Sequence, residues 1–193
     1  MASKRIVMVL IAAIVAAAAV SVYLISRFNN EQRPAKLGGI DNFIVAREIL
    51  PAPVSAFVDE QGVRTSLERF RGKVVVLNLW ATWCTPCVAE MPMLDRLQQQ
   101  LESVGVVVVA LSLDRGGPAA VKAFYEENGI KHLGVYVDPT MRAQADFKVI
   151  GLPTTILIDR DGRDRGRVVG PAEWDDAKAA DLVLSASGPH ANR

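Results

Sequence analysis

Two cysteines three residues apart stand just beyond a run that is apolar except at Asn78. The run is Val74 to Trp80, and its β-branched residues favour a strand. After Cys84 and Cys87, the residues Val88, Met91, Leu94, Leu97 and Leu101 recur every three or four positions. That spacing predicts one face of an amphipathic helix. Pro92 lies inside the helix and is expected to kink it. A strand and a helix must therefore meet at the cysteines. Cys84 falls at the turn, where unpaired backbone N–H groups and the helix dipole favour a thiolate. Cys87 follows one helical turn later, within reach of a disulfide with Cys84. Pro86 suits the first turn of a helix, where a missing N–H costs nothing.

Other uses of the pair fit less well. Tetrahedral zinc needs four ligands. The chain offers two thiolates, His132 and His190, and His190 lies in an expected tail, so no metal site is expected. A passive disulfide across so short a loop would add little stability. Two cysteines in 193 residues also exclude a small disulfide framework. A chain of this length can bury a core without one. Lys and Arg number 22 against 21 Asp and Glu, which leaves no basic footprint for nucleic acid.

The near-zero net charge hides an asymmetry. Residues 1–40 carry five basic side chains against one acidic, a net of +4, so residues 41–193 carry −3. Half of all residues are hydrophobic, and the excess sits between Ile6 and Ile25, 20 residues without a charge. At ~1.5 Å per residue, a helix of that run spans about 30 Å, the thickness of a bilayer core. The expected organisation is a short cytoplasmic N-terminus (1–5), then a transmembrane anchor in the lipid bilayer (6–26). A linker (27–46), a globular domain (47–187) and a flexible tail (188–193) follow. A cleaved signal peptide has a shorter apolar region of about 7–15 residues. Ala16 to Ala19 offers small residues for cleavage, but apolar residues continue past it. The Lys and Arg count leaves the orientation open.

Within the domain, Asp59-Glu60-Gln61-Gly62 predicts a hairpin turn between short apolar runs in Val54 to Phe70. Val104 to Leu113 reads as a buried strand, and Pro118 to Asn128 as a helix stopped by Gly129. A short strand (Leu133 to Val137) and a short helix (Thr140 to Phe147) follow. Thr154 to Ile158 is a strand that turns through Asp159-Arg160-Asp161-Gly162 into Arg165 to Val169. An amphipathic helix from Pro171 to Ala186 closes the domain. This order implies an α/β fold, a mixed central sheet with helices on both faces.

The segment Lys73 to Pro92, KVVVLNLWATWCTPCVAEMP, resembles the membrane-anchored thioredoxin-like thiol-disulfide oxidoreductases of the TlpA/ResA/CcmG-like family. Its pattern is nearest to TlpA. The likeness extends over about Pro51 to Ala186 and includes Phe70-Arg71-Gly72-Lys73 and the Asp159 to Gly162 turn. It also includes Gly151-Leu152-Pro153-Thr154, which begins 67 residues after Cys84.

The resemblance implies a thioredoxin fold with an N-terminal hairpin extension, behind a single transmembrane helix. It implies Cys84 as nucleophile, Cys87 as the resolving thiol, and no cofactor beyond the redox-active Cys84–Cys87 disulfide. Glu90 matches an acid near the cysteine pair in the ResA-like branch; half buried, it would exchange a proton with Cys87. The other reading of Glu90 is a solvated first-turn carboxylate. Pro153 matches the cis-proline of the fold, which holds the Leu152 backbone open to an extended substrate. Trp83, Thr85 and Pro86 would complete the substrate surface, while Trp80 is expected in the core and His132 in a loop. Asn78 stands where ordinary thioredoxins carry a buried aspartate.

The implied substrates are cysteine pairs of apocytochrome c or of copper-site assembly proteins. The implied place is the bacterial inner membrane, single-pass, with the domain in the periplasm. There a reductase needs a membrane thiol-transfer electron donor. A peroxiredoxin-like peroxidase would carry Pro and Thr where Leu77 and Ala81 stand. A Sco-like copper chaperone spaces its cysteines one residue further apart.

Overall fold

The computed structural model describes residues 20, 21, 40 and 42–186. The chain divides after Lys36 into two units, and the second holds the whole sheet. Apart from Val20 and Ser21, which are helical, the expected anchor lies outside the described residues, as does the tail from 188. Among the described residues no helix is long and apolar enough to cross a membrane.

Eight strands form one mixed sheet. They are β1 (Phe43–Val45), β2 (Ala56–Val58), β3 (Arg64–Ser66), β4 (Val74–Trp80), β5 (Val106–Ser112), β6 (Tyr136–Val137), β7 (Thr154–Ile158) and β8 (Asp164–Val169). Their order across the sheet is β1-β8-β7-β4-β5-β6-β2-β3. Strands β4, β5 and β6 run parallel, and β7 returns antiparallel on the other side of β4. The hairpin β2–β3 turns at Asp59, whose Oδ1 accepts the Gln61 and Val63 N–H groups. It joins the sheet edge where Val58 faces Val137. The helices are α1 (Thr85–Leu101), α2 (Gly117–Asn128), α3 (Arg142–Asp146) and α4 (Ala177–Ser185).

Every residue of β4 is buried. Its alternation divides the core. Val74, Val76 and Trp80 pack with buried residues of α1, α2 and α4, among them Met91, Leu94, Tyr125 and Leu182. Val75, Leu77 and Leu79 pack on the other face with Ala143 of α3, Phe147, Phe57 and Phe70. Each such aliphatic side chain contributes about 1.5–3 kcal/mol by leaving water. By the same alternation Asn78 belongs to the α1 side.

The structure departs from the sequence reading at several boundaries. Residues 43–45 were expected in the linker and instead form the edge strand β1, paired with β8 through Phe43–Val168 and Val45–Gly166. A three-residue apolar triplet carries no readable period; it becomes a strand because the edge of β8 accepts it. Gly166 (φ 140°) makes room, since a Cβ there would overlap the Ile44 carbonyl oxygen. Strand β5 starts at Val106 because Val104 belongs to a 3₁₀ turn that ends in the left-handed Gly105 (φ 81°). The closing helix starts at Ala177, capped by the Asp176 side chain, and residues 171–176 form a loop. Helix α1 runs from Thr85 to Leu101 through Pro92.

Candidate active site

Strand β4 stops at Trp80, and after three intervening residues Cys84 is the N-cap residue of α1, which begins at Thr85. The intervening turn is fastened from below. Asp114, just past β5 and buried, accepts the Thr82 N–H (2.9 Å), the Thr82 hydroxyl (2.7 Å) and the Ser112 hydroxyl (2.7 Å). The Cys84 N–H donates to the Ala81 carbonyl and the Cys84 carbonyl accepts from Val88, the first turn of the helix. Cys84 and Cys87 form a disulfide with their Cα atoms 5.2 Å apart. Cys84 keeps 7 % exposure, whereas Cys87 is fully buried. Of the two sulfur-bearing residues, Cys84 is the one that reaches the surface. Thr85 and Pro86 lie exposed on the first turn of α1, and Trp83 beside them is 64 % exposed.

The Leu152–Pro153 peptide bond is cis, as the resemblance implies. Thr154 pairs with Leu79, so Pro153 stands at the level of Trp80, at the end of β4 that leads to the cysteines. The Pro153 carbonyl accepts from the Gly170 N–H at 2.9 Å, and Leu152 is half-buried against both core clusters.

Glu90 occupies the position one turn beyond Cys87 and is completely buried, which removes the solvated reading. Its Oε1 accepts from Asn78 Nδ2 at 2.7 Å. Its Oε2 accepts from the Ala172 N–H and from Trp174 Nε1, both at 3.1 Å. Burial pushes the carboxyl up to about 7, and these three hydrogen bonds to the charged form only partly oppose it. A carboxyl so placed changes protonation near neutral pH, on the helix that carries Cys87.

The residues singled out from the sequence thus gather at one end of the sheet, Cys84, Cys87 and Glu90 on α1 and Leu152–Pro153 beside β4. Trp80 is core, stacked on Tyr125 with centroids 6.1 Å apart. His132 is an exposed loop residue whose backbone N–H donates to Asp95. Among the described residues no cluster of His, Cys, Asp and Glu could hold a metal ion.

The family model of Redoxin matches residues 48–184, most of the chain. The chain belongs to the Redoxin family. Within that family it is similar to the thiol-disulfide oxidoreductase ResA of Bacillus thuringiensis (strain Al Hakam), with 36% identity over 119 residues. That match covers 62% of this chain and 68% of the relative. The ResA of Geobacillus thermodenitrificans is 34% identical over 66% of this chain and 72% of its own length. Among solved structures, a putative thiol:disulfide interchange protein DsbE from Chlorobium tepidum superposes with a TM-score of 0.65. It shares 30% identity and covers 73% of this chain and 98% of its own. This Redoxin family member is a thiol-disulfide oxidoreductase with a thioredoxin-like fold and a Cys84–Cys87 pair.

Four partners of the site were not evident in the sequence. Asn78 was read only for what it lacks, an ionisable group; in the fold it is Glu90's donor, and its second N–H reaches Thr155 Oγ1 at 2.9 Å. Trp174 and Ala172 come from a loop that reads as helix on paper. Asp114 follows β5 and carries no local pattern that marks it as a partner of Thr82. The one signal available for Asn78 was a lone amide in an otherwise apolar strand, which needs a buried partner.

Proposed function

We propose that this chain is a membrane-anchored, periplasmic reductase of protein disulfides. Its substrates are cysteine pairs of apocytochrome c or copper-site assembly proteins. The Cys84 thiolate attacks one sulfur of the substrate disulfide, forms a mixed disulfide and releases the other sulfur as a thiolate. Cys87 loses its proton to Glu90 and attacks Cys84. The second substrate sulfur leaves as a thiolate; the two substrate thiolates take one proton from Glu90 and one from water to give the dithiol, and Cys84–Cys87 is left oxidised. A membrane thiol-transfer donor returns those electrons. Trp83, Thr85, Pro86, Leu152 and Pro153 hold the substrate segment, and no further cofactor takes part.

The observation that carries this reading is Glu90, buried one turn from Cys87 and titrating near neutral pH. The placement in the membrane rests on the uncharged run from Ile6 to Ile25 and the periplasmic side on the family resemblance. Equilibration of the full-length protein with graded thiol buffers tests the direction. A reductase predicts a potential near that of thioredoxin, about −270 mV. A potential near −120 mV would make the protein an oxidase instead.

A further inference from the structure

The hydrogen bonds around Glu90 say where its proton can sit. Oε2 already takes two donors, the Ala172 N–H and the Trp174 indole N–H. Neither group can turn round to accept, because a backbone amide nitrogen and an indole nitrogen only donate. A proton on Oε2 would point at one of them. Oε1 has a single partner, Asn78 Nδ2. Asn78 is different in kind, because its side chain carries an acceptor as well as donors. That acceptor, Oδ1, is buried and has no hydrogen-bond partner. The other neighbour of the amide, the Thr155 hydroxyl, accepts from Nδ2 and can also donate.

We infer that Asn78 is the positioning residue for the proton of Glu90. Its amide donates to Oε1 while Glu90 is ionised, and turns over to accept the Oε1 proton when Glu90 is protonated. The Thr155 hydroxyl rotates at the same step and donates to the turned Oδ1. When the Cys87 thiol is the source, it gives up one proton and becomes a thiolate while the carboxylate becomes a carboxylic acid, so charge is conserved. The two amide orientations are not equivalent. With Glu90 ionised, both Asn78 N–H bonds are used and only a carbonyl oxygen is left bare. After the turn, the carbonyl is doubly satisfied and the NH₂ group takes the bare position. Asn78 therefore opposes burial by favouring the carboxylate, and still receives the proton.

Other charges do not compete for this carboxyl. Strands β4 and β7 offer no ionisable group on either side of Asn78 and Thr155. On α1 the neighbours are Cys87, Asp95, whose Oδ1 accepts three backbone N–H groups of residues 131–133, and Arg96, paired with Asp175. The loop and α4 add Glu173, Asp176, Lys178 and Asp181, all exposed. None of these gives Glu90 an ion pair or a hydrogen bond among the described residues.

The inference rests on the proposed exchange with Cys87 only for its role in the reaction; the turning belongs to the Glu90–Asn78–Thr155 cluster alone. The test uses the full-length oxidised protein, titrated from about pH 5 to about pH 9 while NMR follows the Glu90 carboxyl carbon and the Asn78 side-chain NH₂. Both signals should move with one midpoint. In Glu90→Gln, the new amide must present its oxygen to Ala172 and Trp174 and its NH₂ to Asn78. The Asn78 signals should then stay, at every pH, where the wild type shows them in acid. In Asn78→Leu the Glu90 midpoint should rise by about one pH unit, since a donor to the charged form is lost. Asn78 signals that stay fixed through the Glu90 titration, or that sit at their alkaline positions in Glu90→Gln, overturn the inference. The wild-type titration decides it even if Asn78→Leu fails to fold. A separate thiol titration of reduced Glu90→Gln reads the exchange with Cys87. If that curve matches the wild type while the Asn78 signals follow Glu90, the catalytic reading fails and the Asn78 inference stands.

Discussion

Glu90 shows how one buried side chain couples the chemistry of the site to the stability of the domain. Its carboxyl titrates at about 7 in the folded protein against an ordinary 4.5. Between those values the folded state holds a proton that the unfolded state releases. Stability contributed by this group is therefore complete below about pH 4.5 and is lost as the pH rises to about 7, a change of about 3 kcal/mol. Glu90→Gln should remove that slope, so urea unfolding of the oxidised variant at pH 5 and pH 8 should differ by about 2.5 kcal/mol less than in the wild type. An unchanged pH dependence would place the slope elsewhere. At this scale the sequence was informative about the placement of Cys84, Cys87 and Pro153, which follows from local spacing and family likeness. It marked Asn78 as a lone amide without naming its partner, and was silent on Ala172 and Trp174. Their partnership with Glu90 joins positions 12, 82 and 84 residues apart, and no local pattern encodes such pairings.

The elements were legible where their residues carry a period or a strong stop. Strand β4, helix α2 with Gly129 behind it, and the β7–β8 hairpin through the Asp159 turn lie within a residue or two of their expected bounds. Departures fall where tertiary contacts override local preference. Residues 171–176 were expected to open the closing helix, but Gly170 is tied to Pro153 and Ala172 to Glu90, so the helix starts only at Ala177. Strand β1 exists through its docking on β8, which depends on the missing side chain of Gly166. Gly166→Ala should cost about 1–3 kcal/mol, because φ there is 140° and the new methyl would meet Ile44 and Phe43. Hydrogen exchange should then speed up at residues 43–46 with little change in β4. Uniform acceleration across the sheet would mean that β1 is part of the core and not an edge attachment.

For the molecule as a whole, one feature of the sequence organises the rest. A buried strand running into a cysteine pair at a helix start places both sulfurs at one end of a mixed sheet. The return strand β7 brings the cis Leu152–Pro153 peptide to that same end. The sheet order itself was not readable, because strand adjacency is decided by crossovers and not by the strands' own residues. The central claim is that Cys84 attacks and Cys87 resolves. We propose it because Cys84 stands at the N-cap position of α1 with residual exposure while Cys87 lies fully buried. The most direct measurement is to reduce full-length Cys87→Ser and Cys84→Ser, mix each with a peptide disulfide, and follow the mixed disulfide by mass. Cys87→Ser should trap the peptide on Cys84 at least about tenfold faster than Cys84→Ser traps it on Cys87. Equal trapping by the two variants, or faster trapping by Cys84→Ser, would contradict the account.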